Sequence, residues 1–270
     1  MKKLVAAAAV SILLAGAASA ADLPATDTKA PPPVVAVYNW TGFYVGGNIG
    51  YGWGNDTGNR WDSFVDPDDI GFAPYFALGG NVLPGVKSQG VIGGGQIGYN
   101  WQASNWVFGV VADIQGSDMH AFASNTVAPG GGAATTIQSN NSRIDWFGTV
   151  RGRVGVAANN WLFYGTGGLA YGDVKSTVTF SAIPFLLMTG TNSSTQVGWA
   201  AGAGVEVGLS PNWTVGVEYL HFDLGSITTV AVPTTSGFPG TRLTADSKFA
   251  GDIVRGTLNY KFGGPVVAQH

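Results

Sequence analysis

The chain has no cysteine, only three histidines, and 11% charged residues in 270 positions. The missing thiols exclude disulfide scaffolds, thiolate metal sites, cysteine nucleophiles and a lipidated N-terminal cysteine. An ordinary soluble domain carries about 25% charged residues, so a fraction this low argues against a conventional water-facing surface. A formal net charge of −3 lacks the basic footprint of a nucleic-acid binder, and no nucleic-acid partner is expected. Long apolar runs are also missing. Past the N-terminus every apolar stretch is broken by Gly, Asn, Thr or a charge well before the roughly 20 residues a membrane helix needs.

What is present points the other way. The chain is 45% hydrophobic and 12% aromatic, with 42 glycines and 13 prolines. Its first residues read as an export leader: Lys2 and Lys3, an apolar run over Leu4 to Gly16, and the small residues Ala18-Ser19-Ala20 before a cut. The expected organisation is a signal peptide over 1–20 and a Pro-rich periplasmic tail over 21–38. A barrel over 39–262 and a short extension over 263–270 follow. An exported, apolar chain without membrane helices has one other way to cross a bilayer. It satisfies its backbone hydrogen bonds between strands, in a closed barrel.

The dipeptide Asn-Trp occurs four times, at Asn39-Trp40, Asn105-Trp106, Asn160-Trp161 and Asn212-Trp213. Each opens a strand-like run, and the last three follow very short turns. The runs are Trp40–Trp53, Gly90–Trp101, Trp106–Gly116, Arg143–Ala157, Trp161–Lys175, Thr195–Leu209, Trp213–Phe222 and Gly251–Phe262. The remaining connections, about 54–89, 117–142, 176–194 and 223–250, are long and rich in Gly, Ser, Thr, Asn and Asp. Short turns at one end and long loops at the other are the pattern of an outer-membrane barrel. The expected fold is therefore all-β: an eight-stranded antiparallel transmembrane up-and-down β-barrel in the cell outer membrane of a Gram-negative envelope. Trp40, Trp106, Trp161 and Trp213, with Tyr260 and Phe262, are expected at the inner interface, where amphipathic rings prefer to lie.

Alternation separates two faces. In Arg143–Val156, Arg143, Asp145, Arg151 and Arg153 share one parity, opposite Val150, Val154 and Val156. Glu206 opposes Val205 and Val207, and Arg255 and Lys261 oppose Val254, Leu258 and Tyr260. The apolar face meets lipid, so Asp145, Arg151, Arg153, Glu206, Glu218, Arg255 and Lys261 are expected to form a charge network in the lumen, with Asp113 a further candidate. Charge in a dehydrated lumen must be paired.

The run from Trp40-Thr41-Gly42-Phe43-Tyr44-Val45 through Gly46-Gly47-Asn48-Ile49-Gly50-Tyr51-Gly52 resembles the first strand of the alphaproteobacterial small porin-like outer-membrane surface antigens. Leu162-Phe163-Tyr164-Gly165-Thr166-Gly167-Gly168-Leu169-Ala170-Tyr171-Gly172 and Asn259-Tyr260-Lys261-Phe262 resemble the same family. The resemblance spans about 40–262 and implies a barrel similar to that of outer membrane protein A. It also implies a surface-antigen role and insertion by the barrel-assembly machinery through Tyr260 and Phe262. Two departures stand out: no peptidoglycan-binding domain follows, and Phe262 precedes the last residues, Gly263–His270.

Other motifs carry less. Gly93-x-Gly95-x-x-Gly98 has the letters of a dinucleotide fingerprint but runs into Tyr99-Asn100-Trp101 and a turn instead of a helix. No cofactor is expected. His120, His221 and His270 have no metal-ligand spacing. The acidic run Asp62, Asp66, Asp68, Asp69 fails the EF-hand pattern at Ile70 and Ala77. The expected function is a non-enzymatic envelope protein with a largely filled lumen and long extracellular loops, in contact with outer-membrane lipid and lipopolysaccharide. The competing reading is a small porin-like channel for passive diffusion. An eight-stranded barrel is just wide enough for side chains to fill.

Overall fold

The structure, a computed structural model, describes residues 38–54, 60–64, 88–127, 135–183, 186–234 and 240–262. The expected leader, the first part of the tail, the C-terminal extension, His270 and the acidic positions beyond Asp62 lie outside the described residues. The described residues belong to one unit, Val37–His270.

Among the described residues every regular element is a strand. In chain order the elements are β1 (Gly42–Gly54), β2 (Arg60–Phe64), β3 (Gln89–Ala103), β4 (Trp106–Val127), β5 (Thr135–Ala158), β6 (Trp161–Ile183), β7 (Leu186–Gly208), β8 (Trp213–Pro233) and β9 (Arg242–Lys261). Eight of them follow one another antiparallel, and β1 pairs both β3 and β9, so the sheet closes on itself. Closure leaves no free edge strand in the ring, so the membrane-spanning ladder needs no water to satisfy its backbone. The short β2 adds itself to the far end of β9, Arg60 opposite Asp246.

The three short turns fall where the sequence reading put them. Ser104 and Asn159 take left-handed backbone angles, φ 55° and 56°, in the turns Ser104-Asn105 and Asn159-Asn160. Asn tolerates that conformation because its amide can bond locally. The opposite ends differ from the expectation. The segments 117–142, 176–194 and 223–250 are not loops for most of their length. They continue the strands, so that β5 runs for 24 residues and β6 and β7 for 23 each. A bilayer needs only about 9–11 residues per tilted strand, and the barrel continues far past that length as a second storey.

The storeys meet at β-bulges. Register shifts lie between Gly116 and Met119 on β4, Ile144 and Trp146 on β5, and Asp223 and Ser226 on β8. An extra residue in one strand reverses which side chains face inward beyond it. On β5 the buried set is Phe147, Thr149, Arg151 and Arg153 before the bulge, and Ile144, Ser142, Asn140 and Gln138 after it.

The interior changes character with height. Nearest the short turns, Trp40, Val107, Ala157, Leu162 and Tyr164 form an apolar cluster. A charged layer follows. Above it lies a cluster including Ile92, Met119, Phe147, Val174, Leu220, Phe222, Ile227, Phe249 and Ile253. At the far end Val178, Phe180, Leu186, Met188, Leu243 and Ala245 pack together. The two upper clusters are separated by a neutral polar layer. There Ser176 Oγ donates to Asn140 Oδ1 at 3.3 Å and lies 3.1 Å from Ser247 Oγ.

Candidate functional site

The charged layer is built by four strands that face one another in pairs. Asp113 on β4 stands across the ring from Glu218 on β8, and Arg151 on β5 stands across from Arg255 on β9. The side chains of Asp113, Arg151 and Arg255 have no exposure at all. Arg151 donates through Nη2 to Asp113 Oδ2 at 2.9 Å and through Nη1 to Glu218 Oε1 at 3.0 Å. Arg255 donates through Nη2 to Asp113 Oδ2 at 3.0 Å and through Nε to Glu218 Oε2 at 2.8 Å. Each cation therefore touches both carboxylates, and the quartet is neutral. Thr149 donates to Asp113 Oδ2 at 2.7 Å and accepts from Arg151 Nε at 2.8 Å. Gln115 Nε2 donates to Asp113 Oδ1 at 3.2 Å. These added bonds offset part of the desolvation cost of Asp113 and Arg151, whereas Arg255 Nη1 stays buried without a partner.

A second pair lies nearer the short turns. Arg153 Nη1 meets Glu206 Oε1 at 3.0 Å and donates to the Tyr44 hydroxyl at 3.1 Å. Its guanidinium sits 4.0 Å from the centroid of the Tyr164 ring. The Tyr164 hydroxyl donates to Glu218 Oε1 at 3.2 Å and joins the two layers. Sequence reasoning missed Tyr44 and Tyr164. Both carry the inward parity of their strands, beside Asn48 and Thr166, and following that parity would have found them. They also explain two glycines. A Cβ at Gly98 would collide with the Tyr44 hydroxyl, and one at Gly204 with that of Tyr164. The last glycine of the Gly93-x-Gly95-x-x-Gly98 run thus makes room for a tyrosine.

Two expected placements are corrected. Asp145 is not in the lumen. It is the extra residue of the β5 bulge, since Ile144 and Trp146 pair Val174 and Asp173 in succession. The bulge turns it outward, where Arg143 Nε meets its Oδ1 at 2.9 Å with both side chains largely solvated. Arg143 shares that outer face, because inward parity switches at the same bulge. Trp40 is not an interfacial aromatic either. It is 1% exposed and enters the mouth of the barrel. Its backbone N–H donates to Gln102 Oε1 at 2.7 Å. Tyr38 packs against it at 4.7 Å between ring centroids. Lys261, inward as expected, donates to the Asn39 carbonyl and lies 4.6 Å from the Tyr38 ring centroid. Burial, and then the negative charge of Glu206, push the Tyr38 phenol up to about 12. Among the described residues, Asn39-Trp40 differs from the other Asn-Trp pairs in that no tight turn between paired strands precedes it. Trp106, Trp161, Trp213, Tyr260 and Phe262 do lie exposed on the outer face at the short-turn end.

His120 and His221 are apart. His120 is exposed near Asp118, and His221 Nδ1 lies 2.9 Å from Asp252 Oδ1 on the outer face of β8. No helix among the described residues is long and apolar enough to cross a membrane.

A family model described as outer membrane protein beta-barrel domain matches residues 6–262. The chain belongs to that family. The protein is accordingly an outer-membrane β-barrel, and its relatives carry outer-membrane names. It is 36% identical over 258 residues to the 31 kDa outer-membrane immunogenic protein of Brucella melitensis, covering 94% of this chain and 98% of that one. It is 33% identical over 194 residues to the 22 kDa outer membrane protein of Rhizobium leguminosarum bv. viciae, covering 72% of this chain and 69% of the relative. Among solved structures it is similar to the outer membrane protein OprG from Pseudomonas aeruginosa, at 15% identity and a TM-score of 0.44, over 85% of this chain and 99% of that one. This outer-membrane barrel therefore shares with the alphaproteobacterial surface antigens the kinship that its first and sixth strands suggested.

Proposed function

We propose that this outer-membrane barrel is a non-catalytic envelope protein whose interior is a side-chain plug and whose long hairpins face outside the cell. The observation that carries the reading is the neutral quartet of Asp113, Arg151, Glu218 and Arg255, which ties opposite walls together at full burial. A barrel whose central charges are spent on one another has none left to line a water-filled path. Tyr38 and Trp40, tucked into the mouth below, support the same reading. Orientation follows from the usual rule that short turns face the periplasm. It places Thr234, at the far end of β8, outside and Ser210 inside.

The competing small-pore reading draws on one observation. Arg153 Nε and Nη2, Arg255 Nη1, both amide atoms of Asn48 and Asn100 Oδ1 are buried without a hydrogen-bond partner. They trace a polar file through the lower storey. Single-channel recording in planar bilayers separates the two. The plug predicts no stepwise conductance for the intact protein. Stable steps in the wild type would overturn it in favour of the pore. In intact cells an impermeant maleimide should label Thr234→Cys and spare Ser210→Cys; the reverse would show the barrel inverted.

A further inference from the structure

The wall of the barrel is interrupted at one seam. Between β7 and β8 the register holds at Thr189 opposite Val232 and again at Trp199 opposite Asp223, with no paired residues between. On the other side of β7, pairing with β6 is unbroken from Ala182–Leu186 to Trp161–Val207. A bulge on β8 lies at one end of the parting. Gly225 sits there at φ +80°, and a Cβ on it would meet nothing within 4 Å. Asn192 Nδ2 reaches across to the Thr228 carbonyl at 2.8 Å, so a side chain substitutes for the missing ladder. Asn192, Ser194 and Gln196 carry inward parity yet stay partly exposed, whereas Val174, Ser176 and Val178 on β6 are fully buried. Leu224 and Ile227, both buried, lie beneath.

Two features define what could fill this seam. The first is its height. Unpaired backbone groups cost several kcal/mol each in hydrocarbon, so the seam must lie above the acyl chains. The lipid face begins at its lower end, where Val197 and Trp199 are exposed. The second is its chemistry. Thr189–Gly198 and Leu224–Ala231 contain no charged residue, and six consecutive polar neutral residues run from Thr191 to Gln196. Two cations flank it: Lys248 is held by Asp223 at 3.0 Å, and Lys175 on β6 stands opposite Ser193 across the ladder. A neutral polyhydroxyl group would find amides, hydroxyls and backbone donors and acceptors, with the exposed Trp199 ring alongside.

We propose that the β7–β8 seam binds the sugar headgroup of an outer-leaflet glycolipid. The proposal rests on the outward orientation of the long hairpins. Because the chain has no cysteine, Ser194→Cys and Ser226→Cys can each carry a benzophenone, with Asn141→Cys on the exposed face of β5 as the control. The folded protein is placed in phosphatidylethanolamine/phosphatidylglycerol vesicles with or without rough lipopolysaccharide. A parallel arm uses free core oligosaccharide. Photo-crosslinking should give lipopolysaccharide adducts at 194 and 226 about tenfold above 141, the gain expected of one or two added hydrogen bonds. Gln196→Ala should reduce the adduct at 226 while the protein keeps its heat-modifiable migration. Equal adducts at all three positions would reduce the contact to ordinary annular lipid and overturn the proposal. Equal capture of the free oligosaccharide would overturn the assignment to a membrane glycolipid. Impermeant labelling of Ser194→Cys in intact cells tests orientation separately, so that failure of the seam and failure of the orientation are told apart.

Discussion

The two storeys of this barrel differ inversely in polarity over much of their interior and outer wall, although Phe122, Val230 and Val232 still face out in the upper one. Below the bulges the interior holds Asp113, Arg151, Arg153, Glu206, Glu218 and Arg255, while Val150, Val154, Leu169, Val217, Val254 and Leu258 face out. Above them the interior holds Val178, Phe180, Met188, Leu243 and Ala245, while Thr177, Asp246 and Lys248 occupy the outward parity. The same strands supply both. The solvent of the outer wall changes, from lipid to water, and the side chains that can be spared for the interior change with it. In lipid the apolar residues belong outside, and the interior must be closed by paired polar groups. In water the usual rule returns and the core is apolar. The bulges let single strands such as β5 and β8 switch parity at that boundary without leaving the ladder.

The comparison can be broken most severely in the lower storey. Asp113→Ala strips both Arg151 and Arg255 of a partner at full burial, and should cost about 3–5 kcal/mol in urea unfolding. Replacing the pair together, Asp113→Leu with Arg151→Met, should recover much of that loss, because a well-packed apolar pair of similar volume is often as stable. A double variant as unstable as the single would show that the charges do more than close the barrel. The upper storey should respond as a soluble core does. Met188→Ala, at a position with no exposure, should cost about 2–5 kcal/mol through the cavity it leaves.

The outer wall gives a contrast between like substitutions. Val254→Arg faces lipid and should cost about 2–4 kcal/mol, while Thr177→Arg on the outer wall of the upper storey should fall within about 0.5 kcal/mol of wild type. Equal costs would mean that the membrane boundary is not at the bulges. The smallest effect belongs to the solvated pair at the β5 bulge. Arg143→Ala removes the contact with Asp145, and denaturant midpoints should register at most about 1 kcal/mol.

Much of the lower storey was legible in the sequence, for particular reasons. The lipid face forces strict alternation, so Arg151, Arg153 and Arg255 were placed by their opposition to Val150, Val154 and Val254. Tight turns fixed Trp106, Trp161 and Trp213 on one rim. The failures share a different cause. In Asn140–Ser142 and Thr191–Ser194, polar residues are compatible with both a solvated loop and a strand whose outer face meets water, and the alternation of Val178 and Phe180 with Thr177 and Thr179 was passed over, so the second storey read as loop. A bulge adds one residue and reverses parity without any marker as plain as a proline. Asp145 was misplaced for that reason. Trp40 shares its dipeptide with three true rim residues, and only the three-dimensional closure of the mouth shows that it turns inward. The parting of β7 from β8 depends on where two strands fall out of register, which no single-strand pattern encodes.

The inversion itself is tested most directly on the outer wall of β9. Single cysteines at Thr244, Lys248, Val254 and Leu258 can carry nitroxide labels without interference from native thiols. In reconstituted bilayers, labels at 254 and 258 should relax with oxygen, which partitions into lipid, and labels at 244 and 248 with a water-soluble nickel complex. The account predicts that the crossover falls between Lys248 and Val254. Oxygen-dominated relaxation at all four positions would place the upper storey in the membrane and contradict it.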